Sequence, residues 1–246
     1  MKKHAVIMGM PVTVEIVDDA EEKDVEEIFS YLHYIDDVFS TYKKTSEIEK
    51  INRGELAQKD ASEEVKKVFS LAEKTAKETS GYFTVHIHNK LDPSGIVKGY
   101  AIYESANILS KKGYKNFYVA IAGDMEIRGY NTEKKKWRVG IENPFDRKEI
   151  VKVVYLSDRG IATSGNYIRG QHIYDPIHKK NADEIASISV IGPNVYEADR
   201  FATAAFAMGE KGIAFIETLK NFEGYMIRKD KQALFTSGFQ NYTIEI

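Results

Sequence analysis

The sequence predicts an α+β fold with a largely antiparallel central sheet flanked by helices. Three observations lead there. Helical periodicity dominates the first 110 residues, strand patterns crowd the stretch from about 116 to 191, and strand–helix–strand alternation is never sustained. The last point argues against a doubly wound dinucleotide fold. The 246 residues suffice for one large domain or two small ones. No Pro/Gly/Ser-rich linker, low-complexity tract or fixed-period repeat divides them, so one compact domain over residues 1–246 is expected.

The elements follow in order. Residues 4–7 and 11–17 read as strands, and Pro11-Val-Thr-Val-Glu-Ile16 alternates like a half-buried one. From Asp19 to Phe39, Val25, Ile28, Phe29, Leu32, Ile35, Val38 and Phe39 recur at helical spacing. A short helix over Ser46–Asn52 is stopped near Gly54. Asp60-Ala-Ser-Glu63 resembles a capping box, and the helix it opens runs to about Glu78, closed by Gly81. A further helix is expected from near Gly99 to Lys111. Strands are expected over 116–121, 125–130, 136–142, 149–157 and 185–191, then helices over about 195–208 and 210–220. A hairpin with Arg228-Lys-Asp-Lys231 at its turn ends the chain.

Composition excludes several functions. Hydrophobic residues make up 43% and charged residues 29%, a globular mix rather than a disordered one. Lys plus Arg is 35 against 37 Asp plus Glu, a net charge of −2, so no global basic field is present to grip nucleic acid. The absence of cysteine removes disulfides, thiolate metal sites, iron–sulfur clusters, a Cys nucleophile and a lipid-anchored N-terminal Cys. No apolar h-region follows Met1-Lys-Lys-His4, and no apolar run approaches the roughly 20 residues that span a bilayer. As given, the chain reads as cytoplasmic. An exported or membrane-attached protein already freed of its leader would read the same.

Four stretches carry chemistry. In Asp92-Pro-Ser-Gly-Ile-Val-Lys-Gly99, Gly95 and Gly99 bracket an expected turn into a helix. The amides of that helix start, with Lys98, are suited to a phosphate, although an ordinary helix start reads the same way. Ala122-Gly-Asp124 ends an apolar strand and reads as a tight turn near a ligand or as a plain β-turn. Ala162-Thr-Ser-Gly-Asn-Tyr167 reads as a polar turn ahead of His172-Ile-Tyr-Asp-Pro176. There His172 is the side chain best poised for proton transfer, with Asp175 able to orient it. Ser164 with His172 invites a serine-hydrolase reading, but no Gly-x-Ser-x-Gly elbow surrounds Ser164. His86 and His88 alternate like a metal pair on one strand face, without a convincing third ligand. In Ala198-Asp-Arg-Phe-Ala-Thr-Ala-Ala-Phe206, Asp199 and Thr203 are four apart and share one helix face. A carboxylate and a hydroxyl are hard ligands suited to Mg²⁺. A capping Asp and a Thr bonded one turn back is the ordinary alternative.

Taken together, these stretches resemble the ApbE family of FAD:protein FMN transferases. Met8-Gly-Met-Pro11 resembles the family's Met-Gly-Thr opening, and Phe39-Ser-Thr-Tyr-Lys-Lys-Thr-Ser-Glu-Ile48 with Asn52-Arg53 its Ser-Thr-Tyr…Ser…Asn segment. Asp92 to Tyr100 resembles Asp-x-Gly-Gly-x-x-Lys-Gly-Tyr, and Ala122-Gly-Asp124 resembles Gly-Gly-Asp. Trp137-Arg-Val-Gly-Ile141 with Asn143-Pro144, then Thr163-Ser-Gly-Asn-Tyr167, His172-Ile-Tyr-Asp-Pro176 and Asp199…Thr203 complete an ordered series over nearly the whole chain. Departures are Ala122 for Gly, Ser94 where Gly is common, Thr84 for Asp after Phe83, Tyr103 where an Asp is frequent, and Ala202 where some relatives are acidic.

The resemblance implies that FAD is substrate and Mg²⁺ cofactor. The FMN half would pass to a Thr or Ser hydroxyl of an acceptor flavoprotein carrying an Asp-x-x-Ser/Thr-Gly-Ala-Thr-like motif, releasing AMP. It implies Mg²⁺ ligation by Asp199, Thr203 and the Gly95 carbonyl. FAD contacts are implied at Met8, Tyr42, Tyr82, Phe83, Thr84, Asp92 and Lys98. His172 is the candidate base, with Asp175 supporting it. A Mg²⁺-dependent FAD pyrophosphatase and a non-catalytic FAD-binding protein are the alternatives.

Overall fold

In the computed structural model, residues 1–166 and 173–244 are described. β1 (Lys2–Ile7) and β2 (Met10–Ile16) form a hairpin whose two turn residues, Met8 and Gly9, both have positive φ. This is the mirror-image turn that matches strand twist. α1 (Glu22–Phe39) buries the predicted stripe of Val25, Ile28, Leu32, Ile35, Val38 and Phe39. α2 (Glu47–Asn52) is capped by Ser46. α3 (Glu63–Glu78) is capped by Ser62, whose hydroxyl accepts the Val65 N–H, and not by Asp60. Two short strands, β3 (His86–Ile87) and β4 (Lys90–Leu91), precede α4 (Ser94–Lys111).

The remaining strands are β5 (Phe117–Ile121), β6 (Asp124–Arg128), β7 (Trp137–Asn143), β8 (Asp146–Leu156), β9 (Arg159–Gly165), β10 (Tyr174–Asp175), β11 (Lys180–Asn181) and β12 (Ile185–Gly192). α5 (Val195–Ala207), α6 (Gly212–Glu217), β13 (Glu223–Arg228) and β14 (Ala233–Phe235) follow. Among the described residues one eight-stranded sheet runs β1-β2-β5-β6-β9-β12-β13-β14. Every neighbouring pair is antiparallel. The expected α+β class and antiparallel sheet are what the chain forms.

Each face of the sheet has its own cover. Val12, Val14, Phe117 and Val119 lie under α1 and α4, while Ala162, Ile188, Val190 and Met226 lie under α5 and α6. The opposite face is covered by the β7–β8 hairpin. Trp137, Val139, Ile141, Val154 and Leu156 pack there on Tyr118, Ile127, Ile161, Ile191 and Tyr225. No helix among the described residues is long and apolar enough to cross a membrane.

Three further local expectations need correction. α4 begins at Ser94, so Gly95 and Gly99 lie inside the helix instead of bracketing a turn before it. Gly99 is required by packing. A Cβ there would stand 2.6 Å from the Asp199 Cβ, so α4 and α5 approach closely at this residue. Second, Ala162–Gly165 is not a polar turn but part of β9, an interior strand of the sheet. Its polar residues are satisfied inside the fold, which hides the strand from a hydropathy reading. Third, His86 and His88 do not share a strand face. β3 ends at Ile87, and His88 sits in the following turn at positive φ, edge-on to Tyr174.

Candidate active site

A cleft opens between the first turns of α4, the middle of α5, and the ends of β7 and β9. Its empty volume, mouth included, is about 1250 Å³. α4 contributes Ser94, Gly95 and Lys98, and α5 contributes Asp199 and Thr203. The β5–β6 turn contributes Ala122 and Gly123, and β9 contributes Ile161 and Thr163 to Gly165. β7 supplies Val139 to Glu142, and Tyr82, Phe83, Thr84, Ile87, Ile173 and Tyr174 close the rim.

α4 and α5 cross so that their backbones nearly touch. The Gly99 N–H donates to Asp199 Oδ2 at 2.7 Å, and Thr203 Oγ1 donates to the Gly95 carbonyl at 3.2 Å. One buried carboxylate, one hydroxyl and one main-chain carbonyl, from residues one helical turn apart, therefore share one wall of the cleft. This is an all-oxygen donor set of the hard kind that Mg²⁺ takes, sparse enough to leave positions for water and phosphate oxygens. Among the described residues no group of three His, Asp or Glu side chains could hold a metal alone. Such an ion would therefore depend on the mixed set. The Lys98 ammonium stands at the same wall, 2.6 Å from Asp124 Oδ2.

Of the residues given a binding or metal role from sequence, the cleft brings together Tyr82, Phe83, Thr84, Gly95, Lys98, Asp199 and Thr203. Asp92 is not in its lining. Its Oδ1 accepts the Ser94 N–H at 3.0 Å and so starts α4. Met8 is partly buried in the β1–β2 turn, at the same sheet end as Ala122, whose N–H bonds the Pro11 carbonyl. Tyr42 is 94% exposed on the turn after α1. Ser40 accepts the Tyr42 and Lys43 N–H groups there, and Ser46 donates to the Ser40 carbonyl. Asn52 clamps Leu91 through both its amide atoms, fixing the residue before Asp92. Asp175 is buried and accepts the Ile177 and His178 N–H groups, with His178 Nδ1 2.5 Å from its second oxygen. His172 lies outside the described residues.

Several lining residues escaped the sequence reading. Val139 to Ile141 belong to the Trp137–Ile141 segment but carry no assigned role, and Glu142 and Ile161 are not singled out; the β7–β8 hairpin folded over the sheet brings the β7 residues to the cleft, and Ile161 comes with β9. Glu126 is a second surprise. It is fully buried at the start of α5, where it accepts the Val195 N–H and pairs with Arg128. Burial raises its carboxyl to about 7, against the opposing pull of Arg128.

Comparison with known proteins follows the same lines. The sequence model of the ApbE family matches residues 8–89 and 86–226. The chain belongs to the ApbE family. The FAD:protein FMN transferase of Klebsiella pneumoniae is 31% identical over 154 residues, which is 55% of this chain and 44% of that protein. The enzyme of the same name from Vibrio cholerae is 32% identical over 138 residues, 52% of this chain and 41% of its own length. The aligned part thus spans less than half of these curated ApbE relatives. Among solved structures, the flavin transferase ApbE from Vibrio cholerae superimposes with a TM-score of 0.85 at 23% identity, covering 98% of this chain and 99% of that one. The Thermotoga maritima ApbE protein gives 0.87 at 21% identity, covering 100% and 99%. At these identities the two structures establish the ApbE fold for this chain.

Proposed function

We propose that this protein is a Mg²⁺-dependent FAD:protein FMN transferase. The observation that carries the reading is that Gly95, Thr203 and Asp199 line one cleft beside Lys98, with Thr203 bonded to the Gly95 carbonyl. The names of the curated relatives support it. In the reaction an acceptor Thr or Ser oxygen attacks the phosphorus of the FMN half. The bond from that phosphorus to the bridging oxygen breaks, AMP leaves with that oxygen, and the hydroxyl proton passes to a base.

Each residue has a task in this scheme. Asp199, Thr203 and the Gly95 carbonyl would hold Mg²⁺, which when bound neutralises charge on the pyrophosphate. Lys98 faces the phosphates. Tyr82, Phe83 and Thr84 line the rim against the flavin, where aromatic contact is typically worth about 1 kcal/mol beyond area burial. Met8, Tyr42 and Asp92 remain proposed FAD contacts on the strength of the sequence resemblance. His172 is the proposed base, a role worth about 10²–10⁴-fold in such reactions. Asp175 would hold the turn that follows it. The acceptor is a flavoprotein presenting an Asp-x-x-Ser/Thr-Gly-Ala-Thr-like segment.

The test is one incubation of protein, FAD, Mg²⁺ and an acceptor domain carrying that motif. A fluorescent acceptor band heavier by one FMN, lost with EDTA or in Asp199→Ala, is the expected result. Free FMN and AMP with an unlabelled acceptor would replace transfer by hydrolysis. Intact FAD with an acceptor that a known transferase labels would reject enzymatic turnover.

A further inference from the structure

We propose that Asp124 is a positioning residue that holds the Lys98 ammonium and the end of β9 in place for group transfer; the proposal rests on the flavin-transfer reading above. Asp124 opens β6 directly after the Ala122-Gly123 turn, and its side chain is 1% exposed. It does not line the cleft. Its two oxygens reach two elements that do. Oδ2 stands 2.6 Å from Lys98 Nζ on α4, and Oδ1 accepts the Thr163 N–H at 3.0 Å on β9. Thr163 Oγ1 in turn meets Ser189 Oγ of β12 at 2.7 Å.

A carboxylate this buried must be balanced by charge and hydrogen bonds. Here both balancing groups belong to the cleft wall. The β6–β9 ladder has its last pair at Met125 and Ile161, so the carboxylate takes over where backbone pairing stops. Beyond Thr163 the chain continues through Ser164 and Gly165, both at the cleft, toward His172. One side chain thus ties the cation that faces the phosphates to the strand that leads to the proposed base. Removing a partner that only orients a working group typically costs about 10–100-fold in activity.

The experiment compares wild type with Asp124→Asn, Lys98→Met and the double variant. The motif-bearing acceptor is the probe, and kcat, FAD dissociation constant and melting temperature are recorded. Asn keeps an acceptor for the Thr163 N–H and removes the charge that fixes Lys98. The expected result is kcat lowered about 10–100-fold with FAD affinity changed less than about threefold. In the Lys98→Met background the same substitution should change kcat less than about twofold. Effects that multiply in the double variant, or an Asp124→Asn enzyme at wild-type kcat, would overturn positioning and leave the transferase reading standing. A wild type that neither binds FAD nor labels the acceptor would overturn both. Should Asp124→Asn not fold, acylation of wild-type lysines followed by mass spectrometry decides the matter. Lys98 held in its ion pair reacts more slowly than the exposed lysines, and equal reactivity overturns the proposal.

Discussion

Gly99 determines how closely α4 and α5 approach, and through that where Asp199 stands. A Cβ at Gly99 would meet the Asp199 Cβ at 2.6 Å and its Oδ2 at 2.9 Å. Gly99→Ala gains roughly 1 kcal/mol of helix propensity but overpacks the crossing by about 1–3 kcal/mol. The expected outcome is a small net loss of stability. The Mg²⁺ concentration for half-maximal transfer should rise at least about tenfold, because the carboxylate is pushed off its place. An unchanged Mg²⁺ titration would show that the crossing tolerates the methyl group. Ala122 is the converse case. It occupies a positive-φ turn position at 50°, which costs a non-glycine residue about 1 kcal/mol. Ala122→Gly is expected to raise the melting temperature by about 2–4 °C, less what glycine loses in the unfolded chain. A lower melting temperature would mean that the methyl group packs in the cleft wall. At this scale part of the candidate site is legible. Asp199 and Thr203 declare themselves as one helix face by their spacing. Asp124 and Lys98 do not, because their pairing depends on where two distant elements end.

The elements were legible wherever one face meets water and the other a core. The stripe of α1 and the alternation of β2 and β7 are of this kind. Reading failed where the element lies inside. β9 is an interior strand whose Thr163 is satisfied by Asp124 and Ser189, with Ser164 buried in the sheet opposite Ile188, so it reads as a turn. α4 begins earlier than its pattern suggests because Asp92 and Pro93 supply an unusual beginning and Gly99 looks like punctuation. The start of α5 stores a further prediction. Glu126 is buried beneath it with a carboxyl raised to about 7. Between pH 4.5 and 7 the unfolded chain loses this proton while the folded one keeps it, so stability falls as pH rises through that window. The loss reaches at most about 3 kcal/mol and levels off above pH 7. Glu126→Gln cannot ionise and still accepts the Val195 N–H. Relative to wild type it should be more stable at pH 8 than at pH 5 by a large part of that amount. Urea midpoints of both proteins at the two pH values measure it, and a difference independent of pH would sink the assignment.

The whole molecule is a sheet with helices on one face and the β7–β8 hairpin on the other, and the cleft lies where these layers meet. That arrangement explains why its lining was only half readable. Lys98, Asp199 and Thr203 were singled out from sequence and line it, whereas Val139 to Ile141 reach the cleft only through the way the hairpin folds over the sheet. It also makes the hairpin a reporter. Trp137, the single tryptophan, sits on β7 against Tyr118 and donates to the Arg128 carbonyl. The same strand then enters the cleft at Val139. A ligand filling the cleft must therefore bear on the helix layer and the hairpin together, and it stabilises only the folded arrangement. At 100 times its dissociation constant, such a ligand adds about 2.7 kcal/mol. For a chain of this size that is a rise of roughly 5–10 °C in melting temperature. FAD with Mg²⁺ is expected to give that rise and to quench Trp137 emission over the same concentration range. EDTA or Asp199→Ala should diminish both together, because both report one occupied cleft. A thermal shift without change at Trp137 would place the flavin nucleotide away from the hairpin and break the link between this cleft and the proposed reaction.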